Sequence, residues 1–478
     1  MAASAFPRWL LGGTAAVLLA GCTGGGAPAH HAAALSPRTP TTNAAGATAQ
    51  YFGGTVTANP KVYVVWWGDP SKINSSLTAA KGGIADFFAG VTNSAYMDWL
   101  NEYDTNIPVQ AGSKKGSAGS GQLIGRGNYV ASLTLSNIPS GDVTDQQIQQ
   151  ALDAAFDAGT LPEPDDNTLY AVYFPPGVTI NLDGDPSCST YGAYHEAIIE
   201  TKRHDAYYLV MPDCGSSFNT RCSVSSHELI EAMTDNIPTP ASSPDYPQAW
   251  NDAMGNEMGD LCGSSGTVTT PLGTFTVQNI WDERTKACKG FSSDANDFNV
   301  SLSPNAAMVA LNAPSTFTVQ TATSAGSAQM LTLSAVAPSG VTATVSPTTI
   351  MSGATATLTV TAKSPSAQTG LQVVVRADAT SGSTVQTHTA ALLLSTDAAP
   401  PDLGPPPADL GGTADLANPG IGDGTPDDLA LGTGVGGNQQ QPGSGKSGCA
   451  ISPGSADPSW PAALLLFALG LLAVRRRA

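Results

Sequence analysis

Charged side chains are scarce in this sequence. They make up 12% of its 478 residues, and basic residues are the rarer kind, with 20 Lys and Arg against 38 Asp and Glu. The net charge of -18 argues against a nucleic-acid partner, because a phosphate backbone requires a basic surface. It also disfavours adsorption to an anionic membrane surface. Glycine and proline are abundant, at 51 and 35 residues, which fits an exported protein with linkers, and the length predicts about three domains.

The N-terminus carries the features of an export signal. Arg8 precedes an apolar run over residues 9–20, which has the length of the hydrophobic region of a signal peptide. The run leads into Leu-Ala-Gly-Cys22, which resembles a bacterial lipobox. We therefore predict a lipoprotein-type signal over residues 1–22 with lipidation of Cys22. The alternative is ordinary signal cleavage near Ala20.

The C-terminus carries a second signal, over residues 449–478. Cys449 is followed by a spacer, an apolar run at 460–474 and three arginines at 475–477. The apolar run is short for a free-standing membrane span, which needs about 20 residues. The arrangement resembles the MYXO-CTERM sorting signal of myxobacteria, with Cys449 as the sorting residue and a transient transmembrane helix. The alternative is a plain tail anchor. Both interpretations place the protein at the cell surface or outside the cell, attached to the envelope through a lipid or this anchor.

Residues 51–290 alternate between strand and helix patterns. Residues 61–67 predict a buried strand, 73–89 an amphipathic helix and 144–158 a second helix. This alternation predicts an α/β or α+β domain, preceded by a flexible tether over residues 23–50.

The composition changes after this domain. Residues 297–395 contain seven short segments of alternating apolar and polar residues, which predict an all-β, Ig-like sandwich. Residues 396–448 are rich in Pro, Gly and Asp and predict a disordered linker.

Five of the seven cysteines lie in the first domain. An exported protein forms disulfides, and an odd number leaves one thiol over. Cys262 and Cys288 flank a predicted β-hairpin, so we predict a bond between them. Cys188 is expected to pair with Cys214 or Cys222.

The stretch His-Glu-Leu-Ile-Glu, residues 227–231, suggests a metal-binding helix. Residues four apart lie on one helix face, so His227 and Glu231 point the same way and Asp235 follows one turn later. Zinc helices place two ligands at this spacing, and zinc accepts both imidazole nitrogen and carboxylate oxygen. The third predicted ligand is Glu257, which comes from a later segment. We therefore predict a zinc site formed by His227, Glu231 and Glu257.

Other residues are candidates for supporting roles. Asp252 and Asp260 are reserve ligands, and His195 and His204 are further possible ligands. Glu228 is expected to act as general base toward a water that the metal activates. His195 or Tyr194 is expected to stabilise the transition state.

Three structural interpretations compete with the metal site. Ser225 and Glu228 fit an S-x-x-E capping box at a helix start. His227 is then an ordinary core histidine, and Glu231 pairs with a nearby Lys or Arg.

A family resemblance covers about residues 51–290. The sequence SSHELIEAMTDN, then GNEMGDLC and VQNIWDERTKAC, is similar to the pattern of bacterial secreted proteins related to the plant Exordium, or phosphate-induced, family. Asn236 departs from it, since proline usually follows the Thr-Asp pair. The resemblance implies an extracellular metallopeptidase-like protein, although plant members are tied to growth signalling.

Two functions follow as expectations. The first is a surface or secreted zinc-dependent peptidase acting on extracellular proteins or peptides. The second is a non-enzymatic surface protein in which the same cluster is structural. A carbohydrate-binding wall protein is a third option, but Trp66 and Trp67 lie in a predicted buried strand and not on an exposed stacking surface.

Overall fold

The computed structural model describes residues 32–33 and 46–396, except 137–140, 200–202, 240–243, 364–367 and 382–383. The predicted signal peptide with Cys22, most of the tether and nearly all of the linker lie outside the described residues, as does the C-terminal signal with Cys449.

The described chain is mostly β-strand, with few helices. The strands up to residue 289 are β1 (Ala32–Ala33), β2 (Gln50–Tyr51), β3 (Lys61–Trp67), β4 (Asn128–Leu135), β5 (Val143–Thr144), β6 (Thr168–Tyr173), β7 (Ile180–Leu182), β8 (Asp185–Pro186), β9 (Ala193–Ile198), β10 (Ala206–Met211), β11 (Trp250–Asn251), β12 (Ser265–Thr270), β13 (Gly273–Gln278), β14 (Ile280–Asp282) and β15 (Ala287–Lys289). The helices are α1 (Ile84–Val91), α2 (Ala95–Asp98), α3 (Asp145–Asp157) and α4 (Phe218–Thr234), with 3-10 turns at Pro70–Lys72 and Trp99–Tyr103.

A mixed six-stranded sheet organises this part of the chain, in the order β1-β9-β10-β6-β3-β4. The four strands from β10 to β4 are parallel, whereas β9 runs antiparallel to β10 and β1 antiparallel to β9. Short hairpins, β12–β13 and β14–β15, and the small pairings β2–β11 and β5–β7–β8 surround the sheet.

Helices cover both faces of this sheet, because its strands are apolar on both sides. Along β3, Val62 and Val64 point into one core, and Tyr63 and Val65 point into the other. Helices α1 and α4 pack in the first core, and α3 packs in the second. Continuous apolar strands of this kind are typical of parallel sheets buried on both faces.

The predicted elements and the structure agree at most places. The strand at 61–67 is confirmed, and α3 begins at a capping box formed by Thr144 and Gln147. The predicted helix at 73–89 is wrong in its first half, since α1 begins only at Ile84 after a 3-10 turn and loop.

Residues 297–396 form a β-sandwich around a separate core. One sheet has the order β16-β18-β22-β20 and the other β17-β24-β23-β19-β21. Seven of these strands were expected; β17 and β21 are additional and too short to show an alternating pattern. The strands are β16 (Asp297–Ser303), β17 (Ala306–Val309), β18 (Ser315–Ala325), β19 (Met330–Val336), β20 (Val341–Ser346), β21 (Thr349–Met351), β22 (Thr355–Ala362), β23 (Leu371–Ser381) and β24 (Thr384–Thr396).

The sandwich packs directly against the first part of the chain. Asn59 Nδ2 donates to Thr389 Oγ1 at 3.0 Å, and Lys61 Nζ donates to the Gly370 carbonyl at 3.0 Å. Leu393 of β24 is buried in the same core as α3. These contacts join the two parts into one compact unit.

Two disulfides stabilise the first part. Cys262–Cys288 is formed as predicted, and Cys188 pairs with Cys214 rather than with Cys222, which is a buried free thiol. Disulfides persist in oxidising compartments, so they fit an extracellular or surface protein.

Candidate metal centre

Five histidine and glutamate side chains meet on the α4 side of the sheet. β9 contributes His195, α4 contributes His227, Glu228 and Glu231, and a loop after β11 contributes Glu257. None exposes more than 5% of its surface. Potential ligand atoms lie within 4.8 Å of one another in two overlapping groups, and both groups include Glu231. The first group adds His195 and Glu257, and the second adds His227 and Glu228.

The distances place Glu231 between the two imidazole rings. Its Oε2 atom lies 3.0 Å from His227 Nε2 and 3.8 Å from His195 Nδ1. The other ring nitrogen of His195, Nε2, lies 3.4 Å from Glu257 Oε1. Glu228 Oε2 lies 3.5 Å from His195 Nδ1. Each of the two imidazoles therefore lies beside at least one of the three carboxyl groups.

Several of these polar atoms make no hydrogen bond. His195 Nδ1, His227 Nε2 and both carboxylate oxygens of Glu228 are buried without a hydrogen-bond partner among the described residues. His227 Nε2 and Glu231 Oε2 are close enough for a hydrogen bond, but their alignment does not form one. Buried polar atoms are rarely left unsatisfied.

The crowding of carboxylates perturbs several pKa values. Burial alone lowers the pKa of His195, but the negative charge of Glu257 and contact with Glu228 outweigh it and hold that pKa well above its ordinary value. Burial opposes protonation of His227 too, yet Glu231 raises its pKa to about 10. Burial raises the pKa of Glu228 to about 7. The cluster therefore favours bound positive charge.

Local structure explains why these side chains converge. Ser217 caps α4, with its Oγ accepting from the Thr220 N–H at 3.2 Å. The helix then runs unbroken through residue 231, so His227 and Glu231 share a face. On β9, alternate residues point to opposite faces of the sheet. His195 consequently faces α4.

Tyr194 faces the other side of the sheet, so the prediction that it stabilises a transition state is wrong. Its hydroxyl donates to Asp145 Oδ1 at 2.7 Å, in the core that contains α3.

Asp235 connects the elements that carry the centre. Its carboxylate accepts from the Ala249 N–H at 2.9 Å and from Asn251 Nδ2 at 2.7 Å. Its backbone carbonyl lies 3.0 Å from His195 Nε2. The sequence indicated its place on the helix face but not this role, because Asn251 and His195 are distant along the chain.

Gly259 brings the Glu257 loop close to α4. A Cβ atom at this position would lie 2.6 Å from Glu231 Oε1 and 2.8 Å from His227 Nδ1. The next residue, Asp260, donates its backbone N–H to Glu231 Oε1 at 3.1 Å. Only glycine leaves room for this close approach, so the loop lies directly against Glu231 and His227.

The other predicted candidates do not join the centre. Among the described residues, the two metal-binding groups contain neither Asp252, Asp260 nor His204. Asp252 Oδ1 instead accepts from the backbone of Met254 and Asn256, at 2.8 and 2.9 Å, and shapes its own loop. His204 is 64% exposed and lies 3.3 Å from Asp166. Neither group contains both His227 and Glu257. The structure therefore does not bring the three predicted ligands, His227, Glu231 and Glu257, together in one group.

The capping-box interpretation of Ser225 and Glu228 is wrong. Helix α4 begins at Phe218, two turns earlier, because Ser217 supplies the cap. Ser225 Oγ instead lies 2.7 Å from Tyr173 Oη. Glu228 therefore has no capping role and is part of the centre.

The tryptophan pair of β3 offers no exposed stacking surface. Trp66 and Trp67 are 7% and 2% exposed and lie in opposite cores.

A cavity of about 180 Å³ borders the N-terminal half of α4. Val224 and Ser225 line it one helical turn before His227 and Glu228, together with Arg221 and the Cys188–Cys214 disulfide. None of the five residues of the centre lines this cavity.

Comparison with known proteins assigns no family. No protein-family model and no curated protein matches the chain. The S-layer protein SbsC, domains 4 and 5, is 14% identical over 29% of this chain and 70% of its own, with a TM-score of 0.16. A PapD-like domain of human CEP192 is 12% identical over 24% and 94%, with a TM-score of 0.18. The D00-D0 domain of Intimin is 13% identical over 42% and 78%, with a TM-score of 0.16. These likenesses are too slight to identify a fold or a function.

Within the described ranges, every helix is too short or too polar to span a bilayer.

Proposed function

We propose that the protein is an exported, metal-dependent hydrolase that acts on peptide bonds at the cell surface or outside the cell. One observation carries the proposal: three carboxyl groups and two imidazoles are buried together, and several of their polar atoms lack hydrogen bonds. An ionised group buried without a partner costs several kcal/mol in a protein interior. A divalent cation held by some of these groups would offset the buried negative charge of the cluster.

The donor set fits a zinc-type ion. It combines imidazole nitrogen with carboxylate oxygen, which zinc accepts. Calcium prefers six to eight oxygen ligands, and two imidazoles fit it poorly. The HExxE helix is thus compatible with metal binding although the second histidine of the usual motif is Glu231.

We assign the ligands to His195, Glu231 and Glu257. These residues come from three separate elements and leave Glu228 free for proton transfer. The second group, with His227, would use Glu228 itself as a ligand. His227, 3.0 Å from Glu231, would then orient the shared carboxylate or complete the shell.

A bound zinc-type cation supplies a Lewis acid, which polarises a carbonyl and makes water more acidic. Glu228, whose two oxygens have no hydrogen-bond partner among the described residues, would accept a proton as the water oxygen bonds to the peptide carbonyl carbon. It would then return that proton to the amine nitrogen as the C–N bond breaks. Burial of the centre excludes bulk water and strengthens each of these electrostatic interactions.

Peptide as the substrate class is supported by the resemblance of residues 51–290 to secreted metallopeptidase-like proteins. The two disulfides and the N-terminal signal pattern support an exported location, with Cys22 or Cys449 as the attachment point.

The competing function is a non-enzymatic surface protein with a structural metal. Complete burial of His195, Glu228 and Glu257 favours it, because structural sites are closed whereas catalytic sites keep an open position.

The test combines metal content with one isosteric substitution. Purified full-length protein is expected to contain about one zinc per chain and to cleave unstructured protein. Glu228→Gln should abolish cleavage and retain zinc and fold, while Glu163→Gln, a matched change at a 62% exposed carboxylate, should leave both unchanged. Bound zinc without any Glu228-dependent cleavage would establish the structural alternative.

A further inference from the structure

The cavity beside the N-terminal half of α4 has a buried floor and a partly open rim. Its volume is about 180 Å³. Tyr173, Met211 and Pro212 are buried in its floor, while Val224 is half-buried and Cys188 is exposed at its rim. A protein cavity of about 150 Å³ is large enough to hold benzene. This cavity therefore has room for one side chain of up to about the size of phenylalanine.

The main polar groups that line the cavity have protein partners. The Arg221 guanidinium pairs with the Asp213 carboxylate, and its Nε donates to the Ser216 carbonyl at 3.1 Å. One hydrogen bond of 2.7 Å joins the hydroxyl groups of Tyr173 and Ser225. An anionic ligand would compete with Asp213 for Arg221, whereas an apolar side chain gains free energy simply by leaving water. The lining therefore favours an apolar ligand.

Strand β10 places the cavity next to the candidate metal centre. Leu209 is paired opposite His195, and Met211 lies two residues further along the same face of the strand. Two residues of a strand span about 6–7 Å. The floor of the cavity is therefore the next position on this face beyond the one that lies beside His195.

Helix α4 gives a similar spacing independently. Val224 and Ser225 line the cavity and precede His227 and Glu228 by three residues each. Three residues of a helix rise about 4.5 Å, and residues at this spacing are neighbours on the helix surface. Successive residues of an extended peptide advance about 3.3 Å each. The distance from the centre to the cavity thus matches one or two residues of a bound peptide.

We propose that this cavity is the specificity pocket of the centre, and that it receives one apolar side chain of an extended peptide within two residues of the cleaved bond. The inference rests on the proposed hydrolase function, because it names the kind of peptide that the centre cleaves. The pocket shares no residue with the two ligand groups, so a side chain binds there with or without a metal ion. Val224 sets the size of the side chain, since it lies at the rim.

Binding of a small probe tests the pocket without cleavage. In full-length protein with carbon-13 in its methionine methyl groups, N-acetyl-phenylalaninamide should shift the NMR signal of Met211 in a saturable way, because Met211 lines the pocket. Met211→Leu assigns this signal. Met308, which is 54% exposed on the sandwich, should not shift. N-acetylglycinamide lacks the side chain and should leave both signals unchanged.

Changing the size of Val224 tests the fit. Val224→Phe should weaken binding of N-acetyl-phenylalaninamide about tenfold or more, because the added ring takes up space in the pocket. Val224→Ala should instead favour the larger N-acetyl-tryptophanamide. Val336→Phe, a matched change at a 65% exposed valine of the sandwich, should leave both affinities unchanged.

Two results would overturn the pocket. The first is a Met211 signal that the phenylalanine probe does not shift. The second is a ratio of the two affinities that Val224→Ala leaves unchanged, and this result decides the question even if Val224→Phe does not fold.

Cleavage assays separate this inference from the proposed function. If the probes bind as expected and the protein cleaves no peptide, the pocket stands as a binding site and the hydrolase proposal fails. If the protein cleaves peptides equally well with glycine or phenylalanine at every position within two residues of the cleaved bond, the hydrolase stands and the pocket is refuted. If both proposals hold, Val224→Phe should lower kcat/KM for phenylalanine peptides about tenfold or more relative to alanine peptides, whereas Glu228→Gln should lower both alike.

Discussion

The sharpest prediction concerns Glu231, the carboxylate shared by both ligand groups. Glu231→Gln keeps the size of the side chain and an oxygen that can accept from the Asp260 N–H, but it removes the negative charge next to His227 and His195. Changes to residues that merely orient metal ligands weaken metal affinity about 10–100-fold, so loss of a direct ligand should cost at least about 100-fold.

The magnitude follows from mass action. Zinc at 100 times its dissociation constant stabilises the wild-type fold by about 2.7 kcal/mol. At the same zinc concentration, a variant with 100-fold weaker affinity gains only about 0.4 kcal/mol. Comparing each protein with and without zinc cancels the effect of the substitution on the metal-free fold.

The assay is urea unfolding of the full-length chain, once with zinc and once with a chelator. Glu163→Gln should keep the whole increment, because it removes an exposed carboxylate that belongs to neither ligand group. A wild-type protein that zinc does not stabilise, or a Glu231→Gln variant with the full increment, would refute a metal centre at Glu231.

Three further predictions test the surroundings of the centre. Asp235→Ala should weaken zinc affinity about 10–100-fold in a competition titration, because it frees the Ala249–Asn251 segment that the Asp235 carboxylate holds before the Glu257 loop; unchanged affinity contradicts a positioning role. Gly259→Ala should destabilise the fold by about 1–3 kcal/mol in urea unfolding, since its Cβ would meet Glu231 and His227; an unchanged midpoint contradicts the close approach. Burial raises the pKa of Asp104 to about 8, so the folded protein binds this proton more tightly than the unfolded chain, and stability falls as pH rises from about 4 to 8. Asp104→Asn should flatten that decline between pH 5 and 8; an unaltered slope would show that other groups cause it.

Much of the fold was predictable because local pattern and burial agree. The strand Lys61–Trp67 is apolar and β-branched throughout, and α3 has a capping box with a regular apolar face. The first half of the helix predicted over residues 73–89 is absent: its apolar spacing suits a helix, but the structure has turns and bends before α1 begins at Ile84. Tertiary packing overrides such local preferences, and spacing alone does not report it.

The sequence predicted which residues of α4 share a face, but it did not predict which residues of other elements join them. The i, i+4 rule relates His227 to Glu231 from sequence alone. It does not relate either residue to His195, which reaches the cluster through the pairing of β9 with β10. Alternation along β9 predicts that His195 and Tyr194 face opposite sides of the sheet. The structure was needed to show that the side of His195 is the one that faces α4. The same limit applies to Asp235, whose partners Ala249 and Asn251 lie 14 and 16 residues further along the chain.

The balance between a catalytic and a structural metal depends on Glu228. A structural ion would draw both oxygens of a buried carboxylate into its shell or into hydrogen bonds, because an unsatisfied buried charge is costly. Glu228 is fully buried, has no hydrogen-bond partner on either oxygen among the residues that the structure describes, and lies 3.5 Å from His195 Nδ1. If His195, Glu231 and Glu257 hold the ion, Glu228 remains beside it with both oxygens outside the ligand set. A buried carboxylate in that place can accept a proton from water, and a purely structural site has no need of one.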